Sequence, residues 1–201
     1  MRRRAFDDCH HMTTRIVIRI IGAVTGLALC AAHGADPDFY GRFTSLIQTN
    51  HFGPELTNAT LSLTKMKQSG EIASVKLGSG MSEAVEKWGK PRNMYASCGD
   101  GPLLMFGHGS MAFRGDKVVR ISISPNTVPG LRFEGGLTAT NTPAEFARVL
   151  GVPDPDPAPW ALYVDCPCGV LELHWSHFAV GGWLLSSLSL APPESTPDKT
   201  R

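Results

Sequence analysis

A helix pattern that starts and stops twice, sixty-two residues apart, constrains this chain more than any other feature. Within residues 77–91, Met81, Ala84, Val85 and Trp88 fall at i, i+3, i+4 and i+7, the spacing that lines one face of a helix. Ser82, Glu83, Glu86 and Lys87 fill the other face. Gly89 and Pro91 end it, Gly as a left-handed terminator and Pro as a residue that cannot continue a helix. Slid forward without a gap, Gly80 meets Thr142, Glu83 meets Glu145, Trp88 meets Leu150, Gly89 meets Gly151 and Pro91 meets Pro153. The second copy has the stronger start, because Thr142-Pro-Ala-Glu145 spells a capping box with Pro at the first helical position. Phe146, Val149 and Leu150 give it an apolar face.

Strand patterns follow each helix. After the first come residues 102–106, 111–113 and 117–124, with Val119, Ile121 and Ile123 pointing one way. After the second come 161–164, 170–175, 177–180 and 183–190, with Gly181-Gly182 aligned to Arg114-Gly115 in a hairpin. The offset has grown to sixty-seven there, and the Pro-rich loop 153–159 absorbs the difference. One copy of about 60 residues buries a sheet face poorly, so two copies sharing a sheet are expected. The fold class is therefore α+β: two tandem repeats of a helix followed by three to four antiparallel strands, with helices on one face of the sheet. The other face is where a partner is expected. The chain divides into a leader (1–35), an N-terminal helix and connecting segment (36–76), repeat 1 (77–124), a linker (125–138), repeat 2 (139–190) and a disordered tail (191–201).

Residues 1–35 have the anatomy of a signal peptide: Arg15 and Arg19, an apolar run over 20–32, then small residues from Ala32 to Ala35. That run falls short of the ~20 residues needed to span a bilayer. The expectation is export to the periplasm or extracellular space, with no transmembrane span in the mature chain, and Met12 offers the more ordinary translation start. Five of the 19 Lys/Arg and two of the 18 Asp/Glu lie in the leader, leaving 14 basic and 16 acidic groups. A slightly acidic body without a basic run argues against a nucleic-acid partner. Asp36-Pro37 then opens a helical stripe of Phe39, Tyr40, Phe43, Leu46 and Ile47. Residues 55–76 read as a connection with one or two short strands around 61–66 and 72–77.

The string from Leu77-Gly78 through Glu83 to Gly89-Lys90-Pro91 resembles the signature of the SmpA/BamE outer-membrane lipoprotein family and of the related β-lactamase inhibitor protein (BLIP) fold. Ser79 and Gly80 replace the usual residues after Leu-Gly, and the second copy has Ala139-Thr140 in place of the Leu-Gly pair. The resemblance implies small exported proteins built of a helical segment followed by antiparallel strands, and functions of binding rather than catalysis. It transfers no contact residue.

Three cysteines follow the leader, and Tyr95-Ala-Ser-Cys98 and Tyr163-Val-Asp-Cys166 share a Tyr-x-x-Cys spelling. In an oxidising compartment a disulfide is expected between two of Cys98, Cys166 and Cys168, most simply Cys98 with Cys166 or Cys168. An alternative is a thiol or metal site, in which Cys166, Cys168, His174 and His177 hold zinc or copper. Against it, His174 and His177 stand three apart, which sends them to opposite faces of a strand. A third reading, an uncharacterised hydrolase, pairs Cys98 or Cys166 with His108 or His174, but no nucleophile elbow, phosphate loop or cofactor motif is present. Trp160 and Trp175 are the candidate binding residues, Trp160 because the Pro-rich loop exposes it. The composite expectation is an exported, non-enzymatic module that binds a protein or envelope partner and needs no cofactor.

Overall fold

The computed structural model describes residues 56–95, 101–153, 160–178 and 182–193. The leader, the helix expected over 36–47, Cys98, loop residues 154–159 and the tail beyond 193 lie outside the described residues. Among the described residues three short α-helices form: α1 (Leu63–Ser69), α2 (Met81–Trp88) and α3 (Pro143–Leu150). In α2 the buried residues are Met81, Ala84, Val85 and Trp88, the stripe the spacing predicts. Its N-cap Gly80 has no side chain to satisfy the first amides, and Gly89 closes its last turn. Helix α3 has the complete capping box between Thr142 and Glu145, Pro at its start and left-handed Gly151 at its end. It buries Phe146, Ala147 and Leu150, while Val149 stays at the margin.

Helix α1 corrects the expectation of a strand over 61–66. Only two of its residues, Leu63 and Met66, are buried, too few to write a period into the sequence. A remote residue fixes its start: the Glu134 carboxylate accepts from Ser62 Oγ (2.9 Å), Thr64 N (2.9 Å) and Thr64 Oγ1 (2.8 Å). Those bonds, backbone Thr64 first, hold the Glu134 carboxyl below its usual range. Around α1 run very short strands, β1 (Thr60–Leu61), β2 (Glu71–Ile72) and β3 (Val75–Lys76).

The main sheet has seven strands: β4 (Asn93–Tyr95), β5 (Leu103–Met105), β6 (Gly109–Arg114), β7 (Lys117–Ile123), β9 (Ala161–Cys166), β10 (Gly169–Phe178) and β11 (Gly182–Ala191). Strand β8 (Arg132–Phe133) instead pairs in parallel with β1. The sheet order is β4-β5-β6-β7-β11-β10-β9, antiparallel throughout. The chain is thus α+β, with three α-helices and a large antiparallel sheet among the described residues.

Two details depart from the strand patterns. The runs 170–175 and 177–180 were expected as separate strands, yet His177 continues β10, held by its pairing to Trp183. In β7, Ala112 pairs with Arg120 but Phe113 with Val118, so Val119 is a bulge. The extra residue reverses the alternation, and Val118 rather than Val119 joins Ile121 and Ile123 in the core. A second bulge leaves Ser186 unpaired in β11, between His174↔Ser187 and Trp175↔Leu185.

All three helices pack on one side of this sheet. Strand β7 contacts α2, Trp175 packs edge-on against Phe146 of α3 at 5.5 Å, and the end of α1 at Gly70 sits against Cys168 and Leu190. Following the pairings across the sheet gives a single apolar row on that side: Met94, Leu104, Met111, Ile121, Leu190, Leu171 and Val164, one from each strand. Six of the seven are buried, and Met94 packs at the margin. At about 25 cal/mol per Å² of buried apolar surface, this row and the helices over it are the main source of stability.

Candidate functional site

One residue along each strand from the apolar row lies a second row, Asn93, Met105, Ser110, Ser122, Ser189, Glu172 and Tyr163, on the face that no described helix covers. Strand alternation alone puts it there, because successive side chains point to opposite faces. The row is polar over most of its length. At its centre, where β7 meets β11, Ser122 Oγ and Ser189 Oγ hydrogen-bond at 2.8 Å, and Ser187 Oγ stands 3.3 Å from Ser189 Oγ.

The charged part lies over β10. Glu172 is buried, with its side chain 7% exposed, and Arg120 Nη1 reaches across β11 to donate to its Oε2 at 3.0 Å. His174 Nε2 lies 3.9 Å from the same oxygen, and the His174 ring meets Tyr163 edge-on at 5.7 Å. Burial pushes the Glu172 carboxyl up, but His174 and Arg120 together pull it further down, so its net shift is below the ordinary value of 4.5. Arg120 (24% exposed) and His174 (40%) are the solvent-facing members of the group. Beyond them the face turns apolar toward the β4 edge, where Tyr95 is 54% exposed and pairs with Leu103, followed by Ala112. The surface thus offers a buried, neutralised charge pair, hydroxyls and exposed aromatic rings. Such a surface is suited to contact and orientation.

The residues singled out in the sequence scatter over the molecule. Cys166 and Cys168 flank Pro167 in the turn joining β9 to β10, where Cys166 pairs with Gly169. His174 pairs with Ala161, five residues along β10 from Gly169, or about 17 Å. It also projects to the opposite face from Cys166. His177 is three residues further on. The four proposed metal ligands do not converge, and among the described residues no three His, Cys, Asp or Glu side chains gather to hold a metal. His108 precedes β6, four strands from β9 and about 19 Å away, so it cannot serve Cys166 as a base. It packs instead against Trp88 at 4.5 Å, and burial, then Arg92, lower its pKa.

Trp175 is 3% exposed, and its indole Nε1 donates to Asn141 O at 3.1 Å, so its ring belongs to the core and not to a contact surface. Trp160 is 59% exposed, edge-on to Trp183 at 5.8 Å, which in turn meets His177 at 5.0 Å. Sequence reasoning missed Arg120, Glu172, Tyr163 and the serines. An isolated Ser-x-Ser or Arg-x-Ser in a strand carries no signal until pairing register sets it beside its neighbours.

Fold and site together define an α+β protein in which one sheet face is covered by helices and the other by no described helix. Comparison with known proteins returns no match to a family model, a curated protein or a solved structure. Among the described residues no helix is long and apolar enough to cross a membrane.

Proposed function

We propose that the chain is an exported, non-enzymatic binding module of the cell envelope or secreted space that engages a protein or envelope partner through its helix-free sheet face. The observation that carries the reading is the polar row centred on Ser122, Ser189 and Glu172, flanked by Arg120, His174 and Tyr163. Leader anatomy supports export, and the resemblance of residues 77–91 to the SmpA/BamE and BLIP families supports binding over catalysis.

The sheet is read as two tandem copies of one helix-and-strands unit. Several spacings support this. The two eight-residue helices start sixty-two positions apart, at Met81 and Pro143. The turn glycines Gly115 and Gly182, both at positive φ, stand sixty-seven apart, as do the bulge residues Val119 and Ser186. Ser122 and Ser189, also sixty-seven apart, pair directly across the junction. That is the position a two-fold axis relating the copies would occupy.

The experiment is affinity capture from the native envelope with the wild-type chain and with a Tyr163→Ala/His174→Ala double variant. A discrete species held by the first and lost from the second is expected. No specific partner for either, or equal capture by both, overturns the reading.

A further inference from the structure

The turn between β9 and β10 holds chemistry that a binding face does not use. Its corner residues are Pro167 and Cys168, so Cys166 and Cys168 stand two residues apart around a ring that fixes φ. Both sulfurs are half-buried beside the core, and both cysteines are free thiols. The turn cannot easily swing apart. A Cβ at Gly169 would lie 2.1 Å from Ala191 O, and one at Gly70 would lie 2.0 Å from Cys168 Sγ. Gly70, at φ 61 in the cap of α1, therefore leaves the space in which Cys168 Sγ is held next to Cys166. Burial, and then the neighbouring Cys168 thiol, push Cys166 up to about 11, so it rests as a thiol with its hydrogen on Val164 O at 3.6 Å.

We propose that Cys166 and Cys168 form a thiol–disulfide exchange site, alternating between a dithiol and an intra-turn disulfide by stoichiometric exchange with small-molecule or protein disulfides. The Cys168 thiolate attacks one sulfur of R–S–S–R, forming a mixed disulfide and releasing RS⁻. Cys166 gives its proton to solvent and attacks the Cys168 sulfur, closing the Cys166–Cys168 bond and releasing the second RS⁻. The two protons lost by the cysteines leave both products as RSH, so one dithiol is oxidised and one disulfide is reduced. A ring closed through a single residue is strained, which favours a readily reversed bond over a permanent staple. This inference does not depend on the binding reading.

The chain lends itself to a direct test, because no Lys or Arg lies between Arg148 and Lys199. Trypsin therefore releases Cys166 and Cys168 together in peptide 149–199, whereas Cys98 leaves in peptide 93–114. The full chain is equilibrated with reduced and oxidised glutathione in varying ratio, quenched by alkylation and digested. The expected result is that peptide 149–199 passes in one transition from doubly alkylated to an unalkylated form two hydrogens lighter than the free dithiol, without an accumulating glutathione adduct. Its midpoint is unchanged in Cys98→Ser, and closure quickens as pH rises from neutrality toward about 11. In Cys166→Ser a glutathione adduct persists on Cys168. A cross-link to peptide 93–114, a stable adduct on the wild-type peptide, or thiols untouched by excess oxidised glutathione each overturn the proposal; these wild-type readouts stand even if a variant does not fold.

Discussion

Two rows of seven residues, one step apart on the same seven strands, have opposite compositions. Met94, Leu104, Met111, Ile121, Leu190, Leu171 and Val164 are apolar without exception and lie under the helices. Asn93, Met105, Ser110, Ser122, Ser189, Glu172 and Tyr163 carry hydroxyls, an amide and a carboxylate, and no described helix covers them. The first row is explained by burial alone. The second is not, because a face with no task needs neither a buried carboxylate nor an arginine that crosses a strand to neutralise it. The difference separates the half of the sheet that packs under the described helices from the half proposed above as the contact face.

The contrast is broken most strongly at Leu171, which is fully buried. Leu171→Ala is expected to cost about 3 kcal/mol by lost transfer energy and cavity, read from the urea midpoint. Arg120→Ala acts on the opposite face and is expected to cost about 2 kcal/mol at neutral pH, because it leaves the buried Glu172 carboxylate without the guanidinium that donates to it. Its pH dependence carries a sign. A carboxyl held below its ordinary value contributes stability above that value and loses it as pH falls through the lowered one. Wild type should therefore lose stability below about pH 4.5, while the variant, in which burial dominates, loses less. The gap between them should narrow in acid, and a gap that widens would show that Arg120 is not Glu172's counter-ion.

Thr142→Ala removes the capping box from α3, one of the helices over the apolar row, and is expected to cost about 1 kcal/mol. Ser110→Ala on the polar row should shift thermal unfolding least, by less than about 0.5 kcal/mol. A Ser110 effect as large as that of Leu171 would erase the distinction between the faces.

Helices α2 and α3 were legible in the sequence because their caps and apolar stripes are local. Helix α1 was not, since the carboxylate at its start comes from Glu134, seventy-two residues from Ser62. The hairpin glycines pointed to Gly115 and Gly182, but neither bulge has a signature, which is why Val119 was assigned to the core in place of Val118. The polar row was hidden for the same reason. Its members are scattered from Asn93 to Ser189, and only strand order and register bring them into line. Trp175 was ambiguous because a tryptophan in a strand reads alike whether it faces a helix or solvent. The register settles this by placing it on the side of Phe146.

The central claim, that the helix-free face is the contact surface, is tested most directly by site-specific photo-crosslinking in the native envelope. A photoreactive residue is placed at His174 on that face and, as the control, at Ser82 on the outer surface of α2. A discrete adduct is expected from position 174 and none from position 82. An adduct from 82 alone, or none from either position, would contradict the claim.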